Sequence, residues 1–217
     1  MTSRPDTDSA VIVQRDRIRD AARAVIEEHG PDALTSQIAK RAGLARPNVY
    51  RHFASKDDLD LAVAVSAYEE LRAEIRTRLD HCDTPLDVIR APIATQVTWA
   101  QGHQNLYRFL VSRGHLCSAQ RTPKRSDFAA ELAAAGARYF PHIADDPDAA
   151  EGIVVALIGL VDACVLRWLG RPVETPERLI DDLTAHAWLI VDHHLRGFGV
   201  SPDPLSPLAR GQQVDRL

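Results

Sequence analysis

The chain has 217 residues, 45% hydrophobic and 26% charged, with a formal net charge of −4 at pH 7. This predicts a soluble globular protein with room for one small and one larger helical domain. Three scattered cysteines, Cys82, Cys117 and Cys164, fit neither a disulfide framework nor a zinc site, so a reducing cytoplasm is the expected location.

Residues 1–10, MTSRPDTDSA, are polar and are expected to be disordered. Arg4, Asp6 and Asp8 interrupt any apolar run that a signal peptide would need. A first helix is predicted over 11–29, with Ile18, Ala21, Ala22, Val25 and Ile26 on one stripe and Gly30-Pro31 as its stop. Arg15, Arg17, Arg19 and Arg23 decorate its solvated face, with one or two in reach of a phosphate.

The next stretch, TSQIAKRAGLARPNVYRHFASK from Thr35 to Lys56, reads as helix, glycine turn, helix. Ile38, Ala39 and Ala42 share one side of a helix over 36–42, begun by Thr35 or Leu34, with Thr35 the better cap. Gly43 supplies the left-handed backbone of a tight turn, and Leu44 fills the corner. A second helix is expected over 46–53, with Val49 and Phe53 four apart on its buried side and Arg46, Asn48, Tyr50 and Arg51 on the other. The pattern is a helix-turn-helix. Thr35–Lys56 holds five basic residues, Lys40, Arg41, Arg46, Arg51 and Lys56, and no acidic one, whereas residues 57–217 hold 16 basic and 23 acidic. An acidic chain has concentrated positive charge on one short module. A helix pair with a merely solvated basic face would explain the charge, but not its coincidence with the turn glycine and the apolar faces.

The run GLARPNVYRHFASKDDL resembles the helix-turn-helix signature of the tetracycline-repressor (TetR) family of bacterial regulators. Gly43, Leu44, Val49, Tyr50, His52, Phe53, Ser55, Lys56 and Leu59 fall in register with it, as do Ile38-Ala39 and Ala42-Gly43. Three positions depart from it. Ala45 stands where a capping Ser is usual, Asn48 replaces Thr or Ser, and the link from Gly30 to Ile38 is one residue short. The resemblance implies an all-α homodimer: a three-helix head over 11–57 joined to a larger helical-bundle body over 58–197, which binds a ligand and dimerises. It also implies two heads on adjacent major grooves of a pseudo-palindromic operator, a repressor released by a small molecule, and phosphate contacts from Tyr50 and His52. Residues at the start of a recognition helix reach base edges, which places Arg46 and Pro47 there. Lys56, at the start of the following helix, suits a phosphate. The DNA-binding set is Thr35, Ser36, Arg46, Pro47, Asn48, Tyr50, Arg51, His52 and Lys56.

Ser55 is the expected N-cap of a long helix over 56–81 that ties head to body. Thr84-Pro85 opens another, to about Gln101, with Pro92 inside it. A short helix over 105–113 ends at Gly114, residues 115–125 read as a mobile loop, and an alanine-rich helix covers 126–140. A strongly apolar helix is expected over 148–169. Its longest apolar run, Ile153–Val161, stops at Asp162 and is too short to span a bilayer. Thr175-Pro176 starts the last helix, to about Leu195, and the proline-rich remainder, 198–217, is expected to be disordered.

Nine histidines form no metal-ligand spacing, and neither a nucleophile elbow nor a glycine-rich phosphate loop is present, so no metal, cofactor or catalytic residue is assigned. Trp99, His103, Tyr107 and Phe109 offer aromatic and polar groups for a ligand pocket, although each alone is as readily ordinary core. Ile153, Leu157, Gly159, Val161, Leu183, Ala187 and Ile190 are the candidate dimer interface. One short recognition helix reads too few base pairs alone, which itself asks for two copies. Two other readings stay open: a helical protein-interaction module whose helix-turn-helix is only structural, and a DNA-binding regulator with no ligand.

Overall fold

In a computed structural model the protein is described over residues 5–119, 124–137, 139–140 and 146–208, with side chains described except at 5–9 and 114–127. Nine helices occur among them: α1 Pro5–His29, α2 Thr35–Arg41, α3 Arg46–Tyr50, α4 Lys56–Leu79, α5 Pro85–Gly102, α6 Gln104–Ala119, α7 Lys124–Ala137, α8 Pro147–Gly170 and α9 Pro176–Gly197. No strand occurs among the described residues. The chain forms two compact units, one of residues 1–70 and 102–122, the other of 71–101 and 123–217.

The first unit is built on the predicted stripe of α1. Ile18, Ala21, Ala22, Val25 and Ile26 are all buried, together with Ile38, Ala39, Val49 and Phe53 of the helix-turn-helix and Leu59, Val63 and Ala67 of α4. The last three recur every four residues, which keeps them on one helix face. Gly30 takes φ +92 and ends α1, its N–H donating to the Ile26 carbonyl at 2.8 Å. Helix α6 joins this unit through the far end of α1. His103 Nδ1 lies 2.7 Å from Glu27 Oε1, and Asn105 Nδ2 donates to the Glu27 carbonyl at 2.8 Å. Arg23 and Glu70 make a two-pronged ion pair between α1 and α4, which raises the Arg23 pKa.

In the second unit, Thr175 caps α9 as expected, its Oγ1 accepting the Arg178 N–H at 3.2 Å. Leu179, Leu183, Ala187, Val191 and Leu195 form the buried stripe of α9. Helix α8 is capped by Asp146, whose Oδ1 accepts the Ala149 N–H at 3.0 Å. It runs unbroken past Asp162 to Gly170. By length and composition it is the one helix among the described residues that could cross a bilayer, with a mean hydropathy of 2.2 over its most apolar 18-residue window. Asp162 sits within it by accepting a hydrogen bond from Gln96 Nε2 at 2.7 Å.

Several sequence expectations are corrected. Helix α1 starts at Pro5, so 5–10 are helical, and only 1–4 of the expected disordered segment lie outside the described residues. Helix α3 stops at Tyr50 rather than Phe53. Helix α6 continues through Gly114 to Ala119, since one helix-interior glycine costs only about 1 kcal/mol and does not force a stop. Of the expected loop, 120–123 lie outside the described residues, as does the Cys117 side chain. The expected tail is ordered to Leu208. Leu86 N–H donates to the Pro204 carbonyl at 3.0 Å and Leu208 N–H to the Asp83 carbonyl at 2.8 Å, two backbone bonds that fix it beside the start of α5. Residues 209–217 lie outside the described residues.

Candidate nucleic-acid interface

The turn between α2 and α3 is a backbone device. Gly43 takes φ +68. Its N–H donates to the Lys40 carbonyl at 3.2 Å and the Leu44 N–H to the Ala39 carbonyl at 2.9 Å, the two bonds of a Schellman helix end. A Cβ built on Gly43 would lie 3.2 Å from Arg17 Nη2, the far end of a flexible side chain that can swing away. The penalty of a residue with a Cβ is therefore backbone strain. Gly43→Ala is expected to destabilise the head by about 1–2 kcal/mol, measured by thermal denaturation. An unchanged melting temperature would remove the case for a required left-handed residue.

Helix α2 starts at Thr35, one of the two expected beginnings. Leu34 occupies the cap, its N–H donating to Gln37 Oε1 at 2.8 Å, so Thr35 is the first helical residue and not the cap. Thr35 is buried and accepts the Tyr50 hydroxyl at 3.4 Å. That bond, and a second from Arg46, lower the Tyr50 pKa. Ala45 caps α3 without a side-chain hydrogen bond, and Pro47 sits in the first turn, where no amide is needed. Ser55 caps α4, its Oγ accepting the Asp58 N–H at 3.0 Å.

The surface that results is cationic. Ser36, Arg46, Pro47, Tyr50 and Arg51 are exposed, and Asn48, His52 and Lys56 half-buried. Arg46 lies 5.8 Å over the Tyr50 ring. Among the described residues Lys40, Arg46 and Arg51 make no ion pair, whereas Arg41 pairs with Glu28 at 2.9 Å and Lys56 with the buried carboxylate of Asp60. Of the arginines along α1, Arg15 donates to the His52 carbonyl and stacks 4.3 Å from the Phe53 ring, closing the end of the helix-turn-helix. Arg19 pairs with Asp16 and Asp20.

Arg46 and Lys56 also line a polar hollow with Thr35 and Ser36, and a third cation enters it that sequence reasoning leaves out, Arg113 of α6. Arg113 Nη2 lies 3.5 Å from Asp60 Oδ2, so Lys56 and Arg113 share one carboxylate that is only 1% exposed. Burial raises the Asp60 pKa, and the Lys56 and Arg113 charges oppose that rise. No local sequence signal joins Arg113 to the head, since it lies 53 or more positions beyond Asp60 and Lys56.

Residues 18–63 match the family described as bacterial regulatory proteins, tetR family. The head of the chain thus matches the TetR family model. It is 23% identical over 186 residues to an uncharacterized HTH-type transcriptional regulator of Mycobacterium tuberculosis, covering 82% of this chain and 76% of that protein. The TetR-like fold recurs in solved structures. The fatty acid degradation regulator FadR of Bacillus halodurans superposes with a TM-score of 0.62 at 18% identity, covering 86% of this chain and 96% of that one. A Streptomyces coelicolor tetR-family regulator gives 0.63 at 19%, covering 85% and 82%. Thermus thermophilus FadR, a repressor in complex with lauroyl-CoA, gives 0.58 at 22%, covering 88% and 98%.

The second unit holds an apolar cavity of about 130 Å³. Its walls come from α4, α5, α7, α8 and α9, including Ile75, Ile93, Phe128, Leu157 and Val191. Trp99, His103, Tyr107 and Phe109 are absent from them. Trp99, Tyr107 and Phe109 are buried, and His103 is engaged with Glu27. The candidate interface residues divide as well. Val161, Leu183 and Ala187 are buried within the single chain, and Ile153 and Leu157 line the cavity, so these five face inward. Gly159 and Ile190 face outward, with Val155 50% exposed and Leu189 64% exposed. A helical stripe read from sequence cannot tell which of its sides meets its own chain. Among the described residues no group of three potential metal ligands occurs. The Cys82 thiol is pushed up to about 11 by burial and by Asp87, Asp83 and Asp80, which leaves little thiolate for redox chemistry at neutral pH.

Proposed function

We propose that this protein is a dimeric TetR-family repressor that binds a pseudo-palindromic operator through α3 and is released by a small molecule in the body cavity. The observation that carries it is the unneutralised cationic surface of Lys40, Arg46 and Arg51 on a helix-turn-helix whose turn and core are formed. Arg46, Pro47 and Asn48 are the base readers. Ser36, Tyr50, Arg51, His52, Lys56 and Arg113 surround them as backbone contacts, and Thr35 holds Tyr50 in place. Ligand occupancy shifts the population toward a form of lower DNA affinity.

Gel shifts on genomic fragments at graded salt test the reading. Lys40, Arg46 and Arg51 with the net single charge of the Lys56–Arg113–Asp60 cluster make four per head and eight per dimer, an expected log-log slope of about −7. Binding with no salt dependence would leave a purely structural helix-turn-helix.

The dimer uses the outward sides of α8 and α9. Gly152, Val155, Ala156, Gly159 and Ala163 are exposed at helical spacing on α8, as are Ala185, Leu189 and Ile190 on α9. A Cβ on Gly152 or Gly159 would meet nothing within 4 Å, which leaves room for a second helix to approach closely. A Val155→Glu, Leu189→Glu double variant is expected to sediment as a monomer at micromolar concentration and to lose about 100-fold or more in operator affinity, because charges are stranded in an apolar contact and half-site avidity is lost. A variant that remains dimeric would move the interface elsewhere.

A further inference from the structure

We infer that the body cavity is a site for a small, uncharged, apolar molecule carrying one hydroxyl group, with that hydroxyl paired to His194 Nε2. Its identity as the releasing effector rests on the repressor reading above, whereas its chemistry follows from the walls alone. The cavity measures about 130 Å³, close to the dry apolar cavity of about 150 Å³ that takes up benzene. A single ring or a short aliphatic chain fits that space.

The walls carry no charged side chain, and their polar side chains are those of Gln96 and His194. The Gln96 amide donates to Asp162 Oδ1 at 2.7 Å. His194 has its ring set edge-on to Phe198, with centroids 5.1 Å apart. Its Nε2 is buried and has no hydrogen-bond partner among the described residues. A buried polar atom without a partner is costly, and a ligand that supplies one recovers that cost. A hydroxyl both donates and accepts, so it satisfies Nε2 in either imidazole tautomer. A carboxylate or a quaternary ammonium would instead enter a wall with no counter-charge, and its lost hydration would go uncompensated. The phosphates of a coenzyme A thioester likewise find no cation among the lining residues.

Calorimetry on the full chain with three probes of one shape tests this: 4-ethylphenol, ethylbenzene and 4-ethylbenzoate. 4-Ethylphenol is expected to bind about tenfold or more tighter than either of the others. His194→Leu is expected to weaken 4-ethylphenol about tenfold and leave ethylbenzene unchanged. Leu157→Phe, which fills the cavity, is expected to abolish binding of both. Equal affinity for 4-ethylphenol and 4-ethylbenzoate in the wild-type chain would overturn the inference without any variant. So would 4-ethylphenol binding that survives Leu157→Phe, or a His194→Leu chain that melts like wild type and binds 4-ethylphenol as tightly. A gel shift with 4-ethylphenol bound separates the two readings. Release of DNA supports both, whereas retained DNA removes ligand release and leaves the site's chemistry standing on the calorimetry.

Discussion

Phe53→Ala is expected to cost the head about 3–5 kcal/mol and to abolish operator binding. Phe53 is 3% exposed and is buried in the same unit as Ile38 and Val49. Truncating a buried phenylalanine loses both its transfer free energy and the contacts around the vacated space. The Arg15 guanidinium, 4.3 Å over the ring, loses its aromatic partner as well, a further ~0.5–1 kcal/mol. Against a total stability of about 5–15 kcal/mol for a typical domain, this is enough to leave a large fraction of heads unfolded. Chemical denaturation of both chains, read with a gel shift on the same preparations, measures it. A loss below about 1 kcal/mol would mean that the site collapses around the missing ring and that the head does not depend on it.

Arg46→Ala carries the largest expected effect on recognition. Its fork matches guanine O6 and N7, a contact worth about 1–3 kcal/mol of discrimination per site. A dimer reads two half-sites, so the cognate operator should lose about 2–6 kcal/mol, roughly 30-fold to 10⁴-fold, while unrelated DNA changes little. Lys56→Ala should behave differently, weakening all sequences alike and lowering the salt slope by about one per protomer. It also leaves the buried Asp60 carboxylate with Arg113 alone, at 3.5 Å. Burial already raises the Asp60 pKa, and losing Lys56 raises it further. A carboxylate whose folded pKa is raised contributes its stability below the unfolded value and loses it as pH rises through the folded one. The stability penalty of Lys56→Ala is therefore expected near neutral pH and relieved by acidification into the carboxylate range. Binding-site selection on both variants is the check. A base preference unchanged in Arg46→Ala, or shifted in Lys56→Ala, would show the two roles to be reversed.

What was legible in the sequence is what short-range physics controls. Gly43 declares the turn because a left-handed residue is rarely anything else, and its Schellman bonds span five residues. Ser55 and Thr175 declare helix starts for the same reason, since a cap bonds three residues ahead. The buried stripe of α1 follows from helical period alone. Leu34 in place of Thr35 as a cap, and α6 running through Gly114, show the limit of even this reading: intrinsic preferences of about 1 kcal/mol yield to packing.

The sequence alone therefore determined the helix-turn-helix, its cationic face and the order of the helices, because those depend on spacings of a few residues. Only the tertiary structure decided which apolar side chains enclose space and which meet neighbours. The Trp99–Phe109 aromatics proved to lie off the cavity, Leu183 and Ala187 turned inward, and Val155 and Leu189 outward. It alone brought Arg113 to Asp60 and Lys56, and fastened residues 204 and 208 beside the start of α5. Each of these joins residues more than 50 positions apart, or chooses between two sides of one helix. Periodicity marks a helix face as apolar without saying what covers it, and only packed neighbours supply that answer.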